Sequence, residues 1–218
     1  MSTREIAETL RSAASSPFSE EALQAVIRLA MRTGDWTAGS ITSLTPTGSM
    51  RIVAHIDDRA IACDRIEVGR GPAYDAVHDG SVQFSGDLRE DGRWGTWPTS
   101  AFAMGIVSTL SVRLYTADTL GALNLYSGQE QGAERDVFDC LEVFGAHASM
   151  VLAHFTADQQ LQKAIHVGNL VGQAQGILIQ RYQLTADSAL ALLRAVSEQN
   201  NDDIVELAMN LIATGELN

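Results

Sequence analysis

Lysine is almost missing from this chain: Lys163 is the only one in 218 residues, and every other cation is an arginine. With 15 basic side chains against 27 acidic ones the formal net charge is −12, which excludes general coating of nucleic acid or anionic membrane and leaves room only for a local basic patch. Cysteine is scarce too. Cys63 and Cys140 make neither a Cys-x-x-Cys pair nor a metal set, so two reduced thiols are expected. No apolar run reaches about 18 residues, which excludes a spanning helix. The opening Met1-Ser2-Thr3-Arg4-Glu5 lacks the apolar core of a secretory signal, so a cytoplasmic protein is expected. What remains, 45% apolar with few prolines, suits one or two domains with real cores.

Periodicity gives the order of elements. Residues 1–16 read as an N-terminal arm, with a short helical pattern through Ile6 and Leu10 that breaks at Ser15-Ser16-Pro17. Ser19 is placed to cap a helix with Leu23, Val26, Ile27 and Ala30 on one face and Gly34 past its end. Two strand-like runs, Trp36–Leu44 and Arg51–Ile56, flank the turn residues Thr45-Pro46-Thr47-Gly48. After a less regular stretch, Gly71-Pro72 opens a short helix over Ala73–His78 that stops at Gly80, and a strand follows over Val82–Ser85. From Asp87 to Gly105 the chain reads as a loop suited to cover a cavity. A second hairpin, Thr109–Tyr115 and Gly121–Tyr126, follows it.

A long helix is expected from Glu134, with Val137, Leu141, Phe144, Ala148, Val151, Leu152 and Phe155 near heptad spacing. This stripe is expected both to pack on the sheet and to form a dimer seam flanked by His147 and His154. Residues 156–160 continue it as a helical connector into three amphipathic helices over 161–218. Their stripes are Val167/Leu170/Val171/Ala174/Ile177/Leu178, Ala189/Leu192/Leu193/Val196 and Ile204/Leu207/Ala208/Leu211/Ile212. Thr185 is expected to cap the second of these helices and Asn201 the third, with Gly215 ending it. Gly168, Gly172 and Gly176 recur every fourth residue of the first, each costing about 1 kcal/mol against Ala. Close helix-to-helix approach inside the bundle or a dimer is the expected compensation, and close approach of an RNA backbone to the helix is the alternative.

Two resemblances follow from these residues. Gly172-Gln173-Ala174-Gln175-Gly176-Ile177-Leu178, then Arg181, Thr185, Ala189, Leu193-Arg194, Ser197, Asn201 and Ala208, resemble the ANTAR domain, a three-helix RNA-binding module of bacterial antitermination regulators. Val68-Gly69-Arg70-Gly71-Pro72, Ala76-Val77, Gly80, Arg93-Trp94, the run from Gly105 to Leu114 and Gly121-Ala122-Leu123-Asn124-Leu125-Tyr126 resemble a GAF sensor domain over about 17–155. The implied fold is α+β: a GAF-like antiparallel sheet flanked by helices, followed by an all-α three-helix bundle. The implied function is a signal-responsive regulator that, as a homodimer, binds stem-loop RNA and disfavours a terminator hairpin, with a small molecule of unknown identity in the GAF domain.

The RNA-contacting candidates are Lys163, Arg181 and Arg194 for phosphates and Gln175 and Asn201 for exposed loop bases. Tyr74, His78, Arg93 and Trp94 are the candidates for a ligand pocket. Against RNA binding, Gly168 stands where the ANTAR family usually carries Arg, Asp202-Asp203 where its third helix opens with basic residues, and residues 161–218 hold three basic side chains against six acidic ones. A degenerate bundle that serves only sensing or dimerisation is the competing expectation. Catalysis has no motif here: there is no Walker lysine motif, no nucleophile elbow and no His-Glu-x-x-His, and Gly69-Arg70-Gly71 lacks the third glycine of a dinucleotide fingerprint. Asp57-Asp58 does not make a phosphoreceiver, because residues 1–155 contain no lysine. No metal-ligand spacing is present.

Overall fold

The computed structural model describes residues 19–65, 69–80, 82–132 and 135–217. The expected arm helix, Val68, the helix start at Glu134 and the side chain of Val137 lie outside them. The chain divides into two compact units, Met1–Thr156 and Ala157–Asn218. In order, the elements are α1 (Glu20–Met31), β1 (Ala38–Leu44), β2 (Met50–Ile56), α2 (Asp58–Arg65), α3 (Pro72–Asp79), β3 (Gln83–Ser85), α4 (Trp97–Ala103), β4 (Ser108–Tyr115), β5 (Thr119–Ser127), α5 (Arg135–Tyr182), α6 (Ala186–Asn200) and α7 (Ile204–Thr214).

The first unit is built on a five-stranded antiparallel sheet in the order β2-β1-β5-β4-β3. Strand alternation divides its faces. Ile41 of β1, Leu110, Val112 and Leu114 of β4, and Leu123 and Leu125 of β5 form an apolar face with Leu23, Val26 and Ile27 of α1 and Leu141, Phe144, Ala148 and Leu152 of α5. Each Val, Leu, Ile or Phe side chain of this set taken from water contributes about 1.5–3 kcal/mol. The opposite face is covered by Ala60 and Cys63 of α2, Trp97 and Ala101 of α4, and by Leu88, Trp94 and Ile106, all packed with Ala38 and Tyr126. Ala73 and Val77 of α3 close over Ala122.

Two register irregularities meet near one glycine. Between Ile41 and Thr42 the pairing with β2 skips Val53, and between Leu114 and Tyr115 the pairing with β5 skips Leu120. Gly121 lies between them, and a Cβ there would stand 1.8 Å from the Thr42 carbonyl oxygen. The β1–β2 turn closes through Thr45 N donating to Ser49 O at 2.8 Å, with Gly48 at φ +82°.

Two stretches differ from the sequence reading. The less regular stretch after β2 contains α2, whose only buried residues are Ala60 and Cys63, too few to leave a periodic stripe. The expected loop from Asp87 to Gly105 contains α4, opened by Pro98 in its first turn.

α5 runs for 48 residues and contains the division between the units. Its apolar positions keep to no single side over that length, because the N-terminal part packs on the sheet and the C-terminal part in the bundle. In the second unit, Ala174 and Leu178 of α5, Ala189 and Leu193 of α6, and Leu207, Ala208 and Leu211 of α7 form the core.

The caps explain the boundaries. Thr185 Oγ1 accepts from Ser188 N at 3.2 Å, starting α6 as expected. Asn201 does not start α7. It ends α6 in the left-handed region at φ 56°, where Asp202 N donates to Ser197 O at 3.0 Å. The start of α7 is Asp203, whose Oδ1 accepts from Val205 N at 2.8 Å. Asn tolerates φ > 0 and Asp is a strong N-cap, so each of the adjacent residues takes the end that suits it. Gly215 ends α7 at φ +74°. The Gly168, Gly172 and Gly176 row faces open space, since a Cβ on any of them would meet nothing within 4 Å. Close packing within the bundle therefore does not account for them.

Candidate functional site

The α2/α3/α4 side of the sheet is polar and yet buried. Ser40, Thr42, Thr109, Ser111 and Asn124 are at most 2% exposed. Beside them opens a cavity of about 680 Å³, walled by Met50, Arg51 and Ile52 of β2, Asp64 and Arg65 at the end of α2, and Ala73 and Tyr74 of α3. The Asp64 carboxylate stands against the sheet. Its Oδ1 accepts from Tyr126 Oη at 2.6 Å and more weakly from Asn124 Nδ2 at 3.4 Å, while Asn124 Nδ2 also donates to Ser40 Oγ at 3.2 Å. Asp64 Oδ2 and Asn124 Oδ1 are shielded from water and have no hydrogen-bond partner. Burial pushes the Asp64 carboxyl up to about 6, against the hydrogen bonds from Ser40 and Tyr126 that favour its ionised form. An unpaired buried acceptor costs about 1–3 kcal/mol, so the two oxygens are a local cost to this face of the sheet.

A second cavity of about 540 Å³ lies on the α5 side, walled by Val112, Arg113, Tyr115, Gly145, Ser149 and Met150. The Arg113 guanidinium stands 4.5 Å over the Tyr115 ring, and its Nε is buried without a partner.

Of the four side chains expected at a ligand pocket, only Tyr74 lines the larger cavity. His78 stacks on Tyr74 with ring centroids 3.9 Å apart, and its Nδ1 is 2.8 Å from the Tyr74 carbonyl oxygen, outside the lining. Trp94 is a core residue, 2% exposed, and its Nε1 donates to Asp75 Oδ2 at 2.8 Å. Arg93 lies 4.3 Å over the Trp94 ring and donates from Nη2 to Asp91 Oδ2 and Phe84 O, each at 2.6 Å.

Arg93 belongs to a recurring local device. Asp57–Arg59, Asp87–Arg89 and Asp91–Arg93 each join a carboxylate to the backbone N–H and side chain of the arginine two residues on. These arginine bonds hold the carboxyls of Asp57, Asp87 and Asp91 below the usual range. Arg51 and Arg65 at the cavity are exposed and make no ion pair among the described residues.

In the bundle, the five candidate RNA contacts divide by task. Lys163 and Arg194 are exposed and without an ion pair among the described residues. Arg181 is exposed, but its Nη1 donates to the Gly215 carbonyl, tying α5 to the end of α7. Gln175 Nε2 donates to the Ala186 carbonyl at 3.2 Å, holding the start of α6. Asn201 is the α6 cap.

The sequence reading passed over Asp64, Asn124, Tyr126 and Ser40. One signal was available: Asn124 interrupts the apolar run between Leu120 and Tyr126 in the middle of β5.

Profile comparison matches residues 18–153 to the GAF domain and residues 159–212 to the ANTAR domain. The chain belongs to the GAF domain family and carries a C-terminal ANTAR domain. The buried polar sheet face and the 680 Å³ cavity thus lie in the GAF domain, and Lys163, Arg181 and Arg194 lie in the ANTAR domain.

Solved structures share the GAF fold at low identity. The GAF domain of Acinetobacter phosphoenolpyruvate-protein phosphotransferase is 16% identical at TM-score 0.54, covering 73% of this chain and 99% of its own. The free methionine-R-sulfoxide reductase of Neisseria meningitidis, solved with its substrate, is 17% identical at TM-score 0.53, covering 70% and 87%. The type II enzyme of Thermoplasma acidophilum is 14% identical at TM-score 0.51, covering 67% and 96%. Curated proteins give no match. Both domains are of sensory and regulatory type, and among the described residues no helix is long and apolar enough to cross a membrane.

Proposed function

We propose that this is a cytoplasmic, ligand-responsive RNA-binding regulator that acts as a homodimer to promote transcription antitermination. One observation carries the reading: α5 supplies both the helix that covers the GAF sheet and the first helix of the ANTAR core, without a break. A change in GAF packing therefore acts on a helix that the RNA-binding bundle shares. Lys163 and Arg194 contact phosphates, Arg181 positions the bundle, and Gln175 and Asn201 offer what remains of their polar groups to loop bases. The second copy lies along α5, where Val143, Met150, Leu161 and Ile165 are each 49–59% exposed at separations close to whole helical turns.

The test is a salt titration of the purified chain on a two-stem-loop RNA beside a scrambled control, with oligomeric state measured in the same samples. The two cations Lys163 and Arg194 of each bundle, doubled in a dimer, give a log-log slope of about −3. Replacing Lys163 and Arg194 with Gln should flatten that slope and abolish selective binding. Absence of binding at low salt by a folded dimer would instead favour a bundle that only dimerises. The six acids of 161–218 and the use of Asp203 as a helix cap support that second reading.

A further inference from the structure

The smaller cavity of the GAF domain, at the edge of β4, holds a positive charge with nothing to answer it. We infer that this cavity binds an organic monocarboxylate, with the carboxylate on the Arg113 guanidinium and the hydrocarbon part against β4 and α5. The inference deepens the reading of the GAF domain as a ligand-binding sensor and rests on it.

The cavity exists because the sheet is uneven. β3 pairs only with Thr109–Ser111, so among the described residues β4 runs on to Tyr115 with no strand along that edge. α5 covers part of the gap. Ser149 Oγ accepts from Tyr115 N at 2.9 Å and donates to Gly145 O at 2.7 Å, which commits that hydroxyl as both acceptor and donor. The space left is about 540 Å³, within the range of small-molecule sites.

Arg113 is held at this space and not used. A Cβ on Gly80, the left-handed residue that ends α3, would stand 3.1 Å from Arg113 Nη1 and 3.2 Å from Cζ, so the guanidinium packs directly on that glycine. The same guanidinium stands 4.5 Å over the Tyr115 ring. Both neighbours position it, and neither offers it an oxygen. A guanidinium carries five N–H donors, yet Arg113 makes no hydrogen bond and no ion pair among the described residues. Its Nε is shielded and out of a ligand's reach. Nη1 and Nη2 are not shielded, and they are the atoms open to the cavity.

Charge selects the ligand class. Arg113 is the one charged side chain in the lining, so a cation is repelled. A neutral ligand could accept a hydrogen bond but would leave the guanidinium without a counter-ion. A carboxylate does both, since its two oxygens match the paired Nη groups. One guanidinium balances one negative charge, and Val82, Val112 and Met150 add apolar wall, which favours a monocarboxylate with a hydrocarbon part over a phosphate dianion.

The experiment is calorimetry of the full chain at pH 7.5 with hexanoate, octanoate, benzoate and phenylacetate, each beside its primary amide, and with inorganic phosphate. At least one carboxylate should bind, its amide should bind more than about tenfold more weakly, and Arg113→Gln should bring the carboxylate down to the level of the amide. Comparison of acid with amide needs no variant, which keeps the test open if Arg113→Gln does not fold. No binding by any carboxylate, equal binding of acid and amide, tighter binding of phosphate, or carboxylate binding untouched by Arg113→Gln would overturn the inference. Met150 belongs both to this wall and to the exposed face of α5, so oligomeric state is measured in the same samples. A dimer that is lost in Arg113→Gln, with no carboxylate bound by the wild type, would assign Arg113 to an acid of a second copy and overturn the inference as well. The RNA titration is independent of these results: an RNA-binding chain with no affinity for carboxylates would sink the monocarboxylate and leave the regulator standing.

Discussion

Replacing Asp64 by Asn should stabilise the GAF domain at neutral pH and leave it unchanged in acid. The wild-type carboxyl titrates at about 6 in the fold, against an ordinary value of 3.8. Between those values the folded chain holds more proton than the unfolded one, so stability falls as pH rises through the window. At about 1.36 kcal/mol per pH unit the full cost above pH 6 is roughly 3 kcal/mol. The substitution removes the charge and keeps an oxygen to accept from Tyr126 Oη, while the new amide N–H can serve the unpaired Asn124 Oδ1. The measurement is urea unfolding of both proteins from pH 4 to 8, followed by fluorescence of Trp94 and Trp97, which lie in the core on the same side of the sheet. Asp57, Asp87 and Asp91 have depressed values, so their stabilisation is lost as pH falls, but they are common to both proteins and cancel in the difference. A stability difference that stays flat with pH, or a less stable variant at pH 8, would refute the reasoning.

Other outcomes follow from the same geometry. Arg181→Ala should cost the bundle about 1–2 kcal/mol by releasing the Gly215 carbonyl, while Arg194→Ala should leave its urea midpoint in place. Asp203→Ala should lose an N-cap worth about 1 kcal/mol, visible as a lower midpoint of the helical signal. Gly121→Ala should abolish cooperative folding, because its Cβ falls on the Thr42 carbonyl; a soluble variant with a normal melt would contradict the register. Leu161→Glu with Ile165→Glu should convert a dimer to monomer in sedimentation without lowering bundle stability, since both side chains are exposed in the single chain.

Strand alternation, helical stripes, and Pro72 and Gly80 at the ends of α3 made most elements of the GAF domain and all three ANTAR helices legible from sequence, because each is set by neighbours a few residues apart. Legibility failed where local pattern was thin or ambiguous. α2 buries too little of its own surface to declare itself, and Asn201 and Asp203 are both cap-forming residues two positions apart. The functional residues were harder still. Arg93 and Trp94 stood out as a charged and aromatic pair in a polar stretch, yet one is held by Asp91 and the other by the core and Asp75.

The amino-acid sequence by itself determined most strands and helices and a deficit of positive charge, since periodicity, caps and composition are local or additive properties, and its motifs carried the resemblance to the GAF and ANTAR families. Only the tertiary structure decided which polar residues matter. Asp64 meets Tyr126 across 62 residues and Asn124 meets Ser40 across 84, and their unpaired oxygens exist as a cost only because α2 and α3 close over that face and remove it from water.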